Sequence, residues 1–571
     1  MFISDSTFEY IFTIGMLVSF VGFVLLVIIN KKTILEMISH TQVNRKTIIA
    51  ALLITILFLL LEIFIVKQTQ QLFFDDVIYQ GGAQMLLKTG QAWMCNFGGP
   101  NGCISGQIFH EPIGTSFILA IGFLFFGIGR ESAFWEYIII STLSVFLIFV
   151  ASLLLFKKKE IALFAQITFA LLPILLVWAA PTTSDLLMMF FSIICFIGII
   201  IFAHKNNLRT FLLVVFSLLV LLYMKIDALM YIPIFGIVYL ALRQGHIKGF
   251  VNDVQTLFKK FNLWHVIIFV ILLFGFIPAL LYFQNQYNNG YGYQGTTITN
   301  TCNNNKAIQV TDALGLKNFE ANICANTLFW FNTYGNSNYY VMQPVFLTAL
   351  ALLGAMLMID KHKWELLAVG SWFLIIFLVY TSFYAGSVLF GVDWRFFLAL
   401  MPPFALFAGF GVGKIAMLRI FRKKTYRYVL FAIIVFIMLF STLYMYNLLG
   451  VNPANISQAQ NARFYENFIY NNSHKISNSC LVFSFDPTLF NINNKTSAQM
   501  SYLTNINQGV YNQYHSAHSC LVLDYGFWCY TPEGEALCNS ILNATNTTPI
   551  ATIVDNNTMQ KFELLNITGF R

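Results

Sequence analysis

Charge is what this sequence has least of. Of 571 residues only 10% are Asp, Glu, Lys or Arg, against 58% hydrophobic, whereas soluble domains carry about 25% charged residues. A water-soluble fold of this size could not hide so much apolar surface, and long apolar runs recur along the chain, so the solvent is a bilayer. A basic leader is missing as well. The first apolar run, about 10–30, stands behind Asp5 and Glu9 and is followed by no small-residue cleavage site, so it reads as a span rather than a removed signal peptide. The chain lacks tandem repeats and a phosphate-binding loop. Gly409-Phe-Gly-Val-Gly-Lys414 has the wrong spacing, no following Ser or Thr, and a place at a span end. The excess of 33 Lys and Arg over 25 Asp and Glu requires no nucleic acid, because the basic residues sit in short loops beside spans.

Twelve runs of about 17–23 residues are long enough to cross: roughly 10–30, 47–66, 134–156, 160–181, 186–203, 208–224, 226–242, 263–283, 342–359, 364–384, 395–415 and 428–447. A further run, about 113–129, is left out by the positive-inside rule. With the N-terminus outside, the inner loops hold Lys31, Lys32, Arg45 and Lys46; Lys157–Lys159; Lys205 and Arg209; Arg243, Lys248, Lys259 and Lys260; Lys361 and Lys363; and Lys414 through Arg427. These are 21 of the 33 basic residues, in segments far shorter than the outer ones. Counting 113–129 as a crossing would set Lys157–Lys159 and everything before them against everything after. Sequons agree, since Asn455, Asn471, Asn494, Asn543, Asn546, Asn556 and Asn566 all fall in the tail. Cysteines agree too: Cys95 and Cys103, Cys302 and Cys324, and Cys480, Cys520, Cys529 and Cys538 occupy three outer segments in even numbers. They read as disulfides, with the pairing of the four tail residues open.

The outer segments are large: about 67–133, about 284–341, and the tail from 448. The inner loops leave no room for a folded nucleotide-binding domain, which excludes a nucleotide-sugar transferase or an ATPase. Residues 1–447 therefore read as a membrane domain and 448–571 as an extracytoplasmic C-terminal domain. In that tail Ala462–Asn471, Ser497–Leu503 and Glu533–Leu542 read as helix. Cys480–Phe485, Cys520–Tyr525, Ile550–Val554 and Phe562–Leu565 read as strand, an alternation typical of a small α/β domain. The 284–341 loop reads as largely irregular apart from a cystine.

Five features carry chemistry. Phe74-Asp75-Asp76-Val77-Ile78-Tyr79 places two carboxylates directly after a span, at headgroup level; a solvated loop pair is the plain alternative. His110-Glu111-Pro112-Ile113-Gly114 leads into the 113–129 run, where Pro suits a helix start and Glu111 complements its dipole. Pro181-Thr-Thr-Ser184-Asp185 joins two spans, and capping accounts for one of Thr183, Ser184 and Asp185 but not all three. Lys225 and Arg395 stand at outer span ends, where each either snorkels or meets a lipid phosphate. His515-X-X-His518 with Cys520 has metal-ligand residue types, although such a trio in a polar loop is ordinarily only a loop.

In this order the residues resemble the GT-C superfamily of polyprenyl-phosphate-sugar glycosyltransferases. Within it they are most similar to the protein O-mannosyltransferase and lipid A aminoarabinose transferase group, glycosyltransferase family 39-like. The resemblance covers about 70–240 and returns at 391–412, where Asp393-Trp-Arg-Phe-Phe-Leu-Ala-Leu-Met-Pro402-Pro403 looks like that group's Arg-Tyr-Leu-X-Pro span. It implies that the 113–129 run is a juxtamembrane helix, which the charge count requires independently. It also implies Asp75 as catalytic base, Asp76 as its acidic neighbour, Glu111 and Asp185 as further acids, and Lys225 and Arg395 as cations on the lipid-phosphate side. Tyr79 and His110 would position substrate. Two departures bear on this: the acid-Pro motif reads His-Glu-Pro-Ile, so the substrate does not carry over, and an extra span precedes the family's usual first one. The fold class expected is an all-α polytopic membrane protein of about twelve helices, GT-C-like, with a small extracytoplasmic α/β C-terminal domain.

The function expected is an inverting glycosyltransferase that moves a sugar from a polyprenyl-phosphate donor to a protein, lipid or glycan acceptor. The one cofactor considered is a divalent metal held by Asp76, Glu111 or Asp185. The tail's Asp524-Tyr-Gly-Phe-Trp528 is not the Trp-Trp-Asp motif of oligosaccharide transfer to Asn. A transporter or lipid flippase is the alternative, and would require ionisable residues at the midplane and two related halves. A receptor scaffold leaves the acids unexplained.

Overall fold

The computed structural model describes residues 5–41, 43–65, 75–91, 112–179, 181–243, 297–300, 306–309, 345–382, 393–417, 429, 432–443 and 464–571 except 505 and 557. His110, Glu111, Cys95, Cys103, Cys302, Cys324 and the predicted span 263–283 lie outside these residues.

In lipid every backbone group must be satisfied within its own segment, so apolar runs fold as helices. The membrane domain contains α1 (Asp5–Ser39), α2 (Arg45–Phe64), α3 (Asp75–Thr89), α4 (Gly114–Phe126), α5 (Arg130–Phe156), α6 (Lys159–Ala170), α7 (Pro173–Trp178), α8 (Ser184–Lys205), α9 (Leu208–Met224) and α10 (Tyr231–Leu242). It continues with α11 (Val345–Met358), α12 (Lys363–Ser382), α13 (Met401–Ala416) and α14 (Ala432–Leu443). Among the described residues six helices are long and apolar enough to cross a membrane, and the protein is an integral membrane protein.

Local chemistry sets the boundaries. Lys157 and Asn206 stop α5 and α8 in the left-handed conformation, φ 53° and 42°. Asn207 and Thr210 then open α9 with a reciprocal capping box. The predicted span 160–181 is not one helix. It breaks at Leu171–Leu172 between α6 and α7, because Pro173 has no N–H to continue the ladder and suits the first turn of a new helix. Pro112 precedes the N-cap of α4, Ile113, rather than occupying its first turn. With 13 residues, α4 is about 20 Å long, short of a hydrocarbon core of about 30 Å.

Small residues bring the helices together. The Gly409-X-Gly-X-Gly413 run lies in α13, where Gly409 and Gly413 face Ala165 and Ile161 of α6. A Cβ on Gly411 would stand 2.5 Å from the carbonyl oxygen of Leu350 in α11. The motif is a helix-packing face of the small-residue kind. The extra first helix is integral to the bundle: Phe12 packs on Tyr223, Phe20 on Phe117 and Phe23 on Phe191.

In the 284–341 segment, expected to be largely irregular, Thr297–Asn300 (β1) and Lys306–Gln309 (β2) pair antiparallel. The tail is a mixed five-stranded sheet in the order β4-β3-β5-β7-β6, with β3 (Cys480–Ser484), β4 (Thr496–Gln499), β5 (Cys520–Tyr525), β6 (Thr545–Val554) and β7 (Lys561–Phe570). β3 pairs parallel with β4 and β5, and β7 pairs antiparallel with β5 and β6. The register sets Cys480 opposite Cys520, and those two are disulfide-bonded, as are Cys529 and Cys538. Cys520 is thus no thiolate ligand for His515 and His518. Period-two alternation splits the core: Val482 and Val522 face one side, Leu481, Phe483, Leu521 and Leu523 the other. Helix 464–472 (α15) and α16 (Pro487–Ile492) cover the first side; α17 (Gln508–Ala517) and α18 (Pro532–Ala544) cover the second. The expected helix Ser497–Leu503 is instead strand β4 followed by a single 3-10 turn, because the segment completes the parallel ladder beside β3.

Candidate active site

Three chain segments converge on Asp185. It stands in the first turn of α8, whose N-cap, Thr183, makes no side-chain capping bond. The carboxylate is directed elsewhere: Lys225 Nζ donates to Oδ1 at 2.8 Å, and Arg395 Nε lies 3.4 Å from Oδ2. The side chains of Asp185 and Lys225 are 1% and 5% exposed, so neither snorkels to a surface. Lys225 ends α9 in an extended conformation, φ −156° and ψ 146°, and also meets Asp227 at 3.4 Å. Arg395 enters on a 3-10 turn, Asp393–Leu400, that leads into α13. The following residue, Phe396, offers its ring face to Lys225 Nζ at 3.8 Å from the centroid. Phe396 was inside a motif visible in sequence, but nothing there marked it or Asp227 as a partner of Lys225.

α3 approaches from the other side. Asp75 opens it and Asp76 follows, buried. Thr182 Oγ1 donates to the Asp76 carbonyl at 3.3 Å and accepts from Gln80 Nε2 at 3.2 Å, while Tyr137 OH donates to the Thr183 carbonyl at 3.0 Å. These bonds tie α3 and α5 to the linker that leads into Asp185. Tyr79, expected to position substrate, is buried in the membrane-domain core. The start of α4 is pressed against the end of α9: a Cβ on Gly114 would collide with the Tyr223 carbonyl, and Thr115 Oγ1 reaches the Met224 carbonyl at 3.5 Å. Gly114 and Thr115 therefore lie against the backbone that leads into Lys225.

The tail roofs this arrangement, and sequence patterns gave no signal of it. Val77 belongs to the tail's core with Tyr465, Phe468 and Val482, so α3 serves as one of the layers covering the sheet. Gln84 and Lys88 of α3 both donate to Asn494 Oδ1. Arg130, at the head of α5, pairs with Glu466 at 3.0 Å and donates to Asn467 at 2.8 Å. Burial raises the Glu466 carboxyl and the Arg130 guanidinium opposes the rise, with Asp76 and Asp486 among the charges acting on it. Deeper in the tail, Tyr465 OH and Ser484 Oγ donate to Asp524. Gly526 leaves room for the Tyr465 ring, which a Cβ would strike. Burial pushes Asp524 up to about 6, and burial followed by the Asp524 charge pushes Asp486 up to about 7.

Among the described residues no group of three His, Cys, Asp or Glu side chains is arranged to hold a metal ion. Asp185 does not fit that role, because each of its oxygens faces a cation.

No family model matches the chain, and no curated protein matches it in sequence. Its fold does match solved structures. ArnT from Cupriavidus metallidurans, a lipid A aminoarabinose transferase bound to undecaprenyl phosphate, aligns with a TM-score of 0.55 at 12% identity over 92% of this chain and 99% of that one. The same protein in its apo state gives 0.54 over 91% and 97%. The Archaeoglobus fulgidus oligosaccharyltransferase tethered to an acceptor peptide gives 0.50 at 10% identity, over 90% of this chain and 74% of that one. The chain has the fold of the GT-C polyprenyl-phosphate-sugar transferases.

Proposed function

We propose that the protein is an inverting glycosyltransferase that takes a sugar from a polyprenyl-phosphate donor on the extracytoplasmic face of the membrane. What carries the reading is the meeting of Lys225 and Arg395 on Asp185 beside the helix that begins with Asp75 and Asp76. It is supported by a fold shared with a transferase bound to undecaprenyl phosphate.

Asp75, at the start of α3, takes the proton from the acceptor hydroxyl as its oxygen attacks the anomeric carbon. The bond from that carbon to the phosphate oxygen breaks, and polyprenyl phosphate leaves with the electron pair. Lys225 and Arg395 stabilise the charge that develops there. Asp185 positions both cations, and Asp76 and Glu111 are the further acids that the resemblance assigns to the site. A lipid carrier delivers the sugar across the bilayer, so no cytosolic nucleotide domain is needed. The sugar acceptor is a protein, lipid or glycan hydroxyl presented outside the membrane.

The test is sugar transfer from polyprenyl-phosphate donors in proteoliposomes. Asp75→Asn keeps the size of the side chain and removes the base, so turnover should fall about 10²–10⁴-fold with an unchanged thermal midpoint. Wild-type turnover by Asp75→Asn would remove the base assignment. Wild-type turnover by Asp75→Asn, Asp76→Asn, Glu111→Gln and Asp185→Asn alike would favour a transporter.

A further inference from the structure

Among the described residues Lys225 meets two carboxylates of very different kinds. Asp185 is 1% exposed, lies at the head of α8 and is shared with Arg395. Asp227 is 26% exposed, stands 3.4 Å from Lys225 and lies in a 3-10 turn, Ile226–Met230. From that turn, two residues on, the Asp227 carboxylate reaches back to the same amine. Pulling Asp185 off the cations would strand a charge in an apolar interior, which is costly. Asp227, a quarter exposed, is the partner that can swing away at the lower cost, since ion pairs weaken with exposure.

We propose that Asp227 is a displaceable counter-ion, which neutralises Lys225 until the phosphate of the polyprenyl carrier takes its place and returns when that phosphate leaves. The inference rests on reading Lys225 and Arg395 as the phosphate-binding cations. Among the described residues Asp185 and Asp227 already oppose the charge of these two cations, and a phosphate added to that set would bring further negative charge. Release of Asp227 offsets that charge without disturbing the Asp185 pairs. The exchange also works in reverse. The leaving group is the same phosphate, and a carboxylate tethered two residues from Lys225 competes it off.

The consequence is that loss of this acidic residue strengthens ligand binding. Equilibrium binding of undecaprenyl phosphate would be measured on the full chain in nanodiscs for wild type, Lys225→Ala, Asp227→Asn and Asp227→Ser, with inorganic phosphate run in parallel. Removing the competing charge should tighten undecaprenyl phosphate binding about two- to fivefold, the span of a partly exposed ion pair. Product inhibition by that lipid should rise in step, whereas a purely structural role would weaken binding. If Lys225→Ala weakens binding while both Asp227 variants match wild type or bind worse, the counter-ion proposal is overturned. If Lys225→Ala binds as wild type, the phosphate-site reading itself fails. Tightening confined to inorganic phosphate would exclude the lipid carrier as the occupant. Failure of both Asp227 variants to reach the wild-type thermal midpoint would show a fixed structural partner and also overturn the proposal.

Discussion

Asp185 and Lys225 meet at 2.8 Å, almost fully buried, and join the start of α8 to the end of α9 across 40 residues of chain. Asp185 also faces Arg395 at 3.4 Å, so Lys225→Met leaves its carboxylate one cation, whereas Asp185→Asn takes the shared carboxylate from both cations. Breaking a buried pair from one side costs roughly 3–5 kcal/mol when the remaining charge is uncompensated. Asp185→Asn should therefore unfold more readily in detergent than Lys225→Met, although both should lose transfer, and the reverse order would mean that Asp185 is not the shared anchor.

Helix packing at Gly411 should be equally selective. A methyl group there meets the Leu350 carbonyl, so Gly411→Ala should lower stability by about 1–3 kcal/mol through overpacking. Gly236 of α10 has open space around its Cβ position. Gly236→Ala should be neutral or stabilising by up to about 1 kcal/mol, from helix propensity. Equal thermal shifts for the two variants would contradict the close contact between α11 and α13.

The tail should be more stable in acid than in base. Asp486 and Asp524 are held above their ordinary 3.8, at about 7 and about 6. The folded tail thus keeps protons that the unfolded chain releases near pH 4. The stability from this linkage is complete below that pH and is lost as pH rises through 6 and 7. The unfolding midpoint of the tail in the full chain should be lower at pH 8 than at pH 5. Asp486→Asn should flatten the slope above pH 6, and a slope left as steep as in wild type would assign the dependence to other groups.

The tail and Lys157–Lys159 should lie on opposite sides of the membrane, because the distribution of basic loops requires it. A thiol reagent that cannot cross sealed vesicles should reach single cysteines placed in 448–571 and miss those placed at 157–159. Labelling of both from one face would refute the orientation.

Much of the membrane domain was legible because the bilayer constrains sequence over short windows. The described parts of the runs 10–30, 47–66, 134–156, 186–203, 208–224, 226–242, 342–359, 364–384, 395–415 and 428–447 fall on helices. The run 113–129 forms a helix too short to cross, in keeping with its exclusion from the count. The break at Pro173 was hidden by uninterrupted apolar character on both sides of it. In the tail the apolar strands Cys480–Ser484 and Cys520–Tyr525 were evident, since parallel strands buried on both faces read as continuous hydrophobic runs. Strand β4, with the polar sequence Thr-Ser-Ala-Gln, was not, because its state is decided by a partner strand rather than by its own pattern. The short helices Pro487–Ile492 and Gln508–Ala517 also escaped, being too brief or too polar to present a clear apolar face.

Composition, loop charge and the alternation of segments by themselves pointed to a membrane protein with an α/β tail, and the order of motifs singled out Asp75, Asp76, Asp185, Lys225 and Arg395 as candidate site residues. These signals are local: burial preference and charge bias are set by a residue's nearest neighbours in the chain. Only the tertiary structure decided that Lys225 and Arg395 share Asp185, that Asp227 reaches the same amine, and that the tail closes over α3 through Val77, Asn494 and the Arg130–Glu466 pair. Each of those contacts depends on where helix ends converge. That convergence is set by close packing at glycines such as Gly114 and Gly411, between segments whose separation along the chain carries no trace of their proximity.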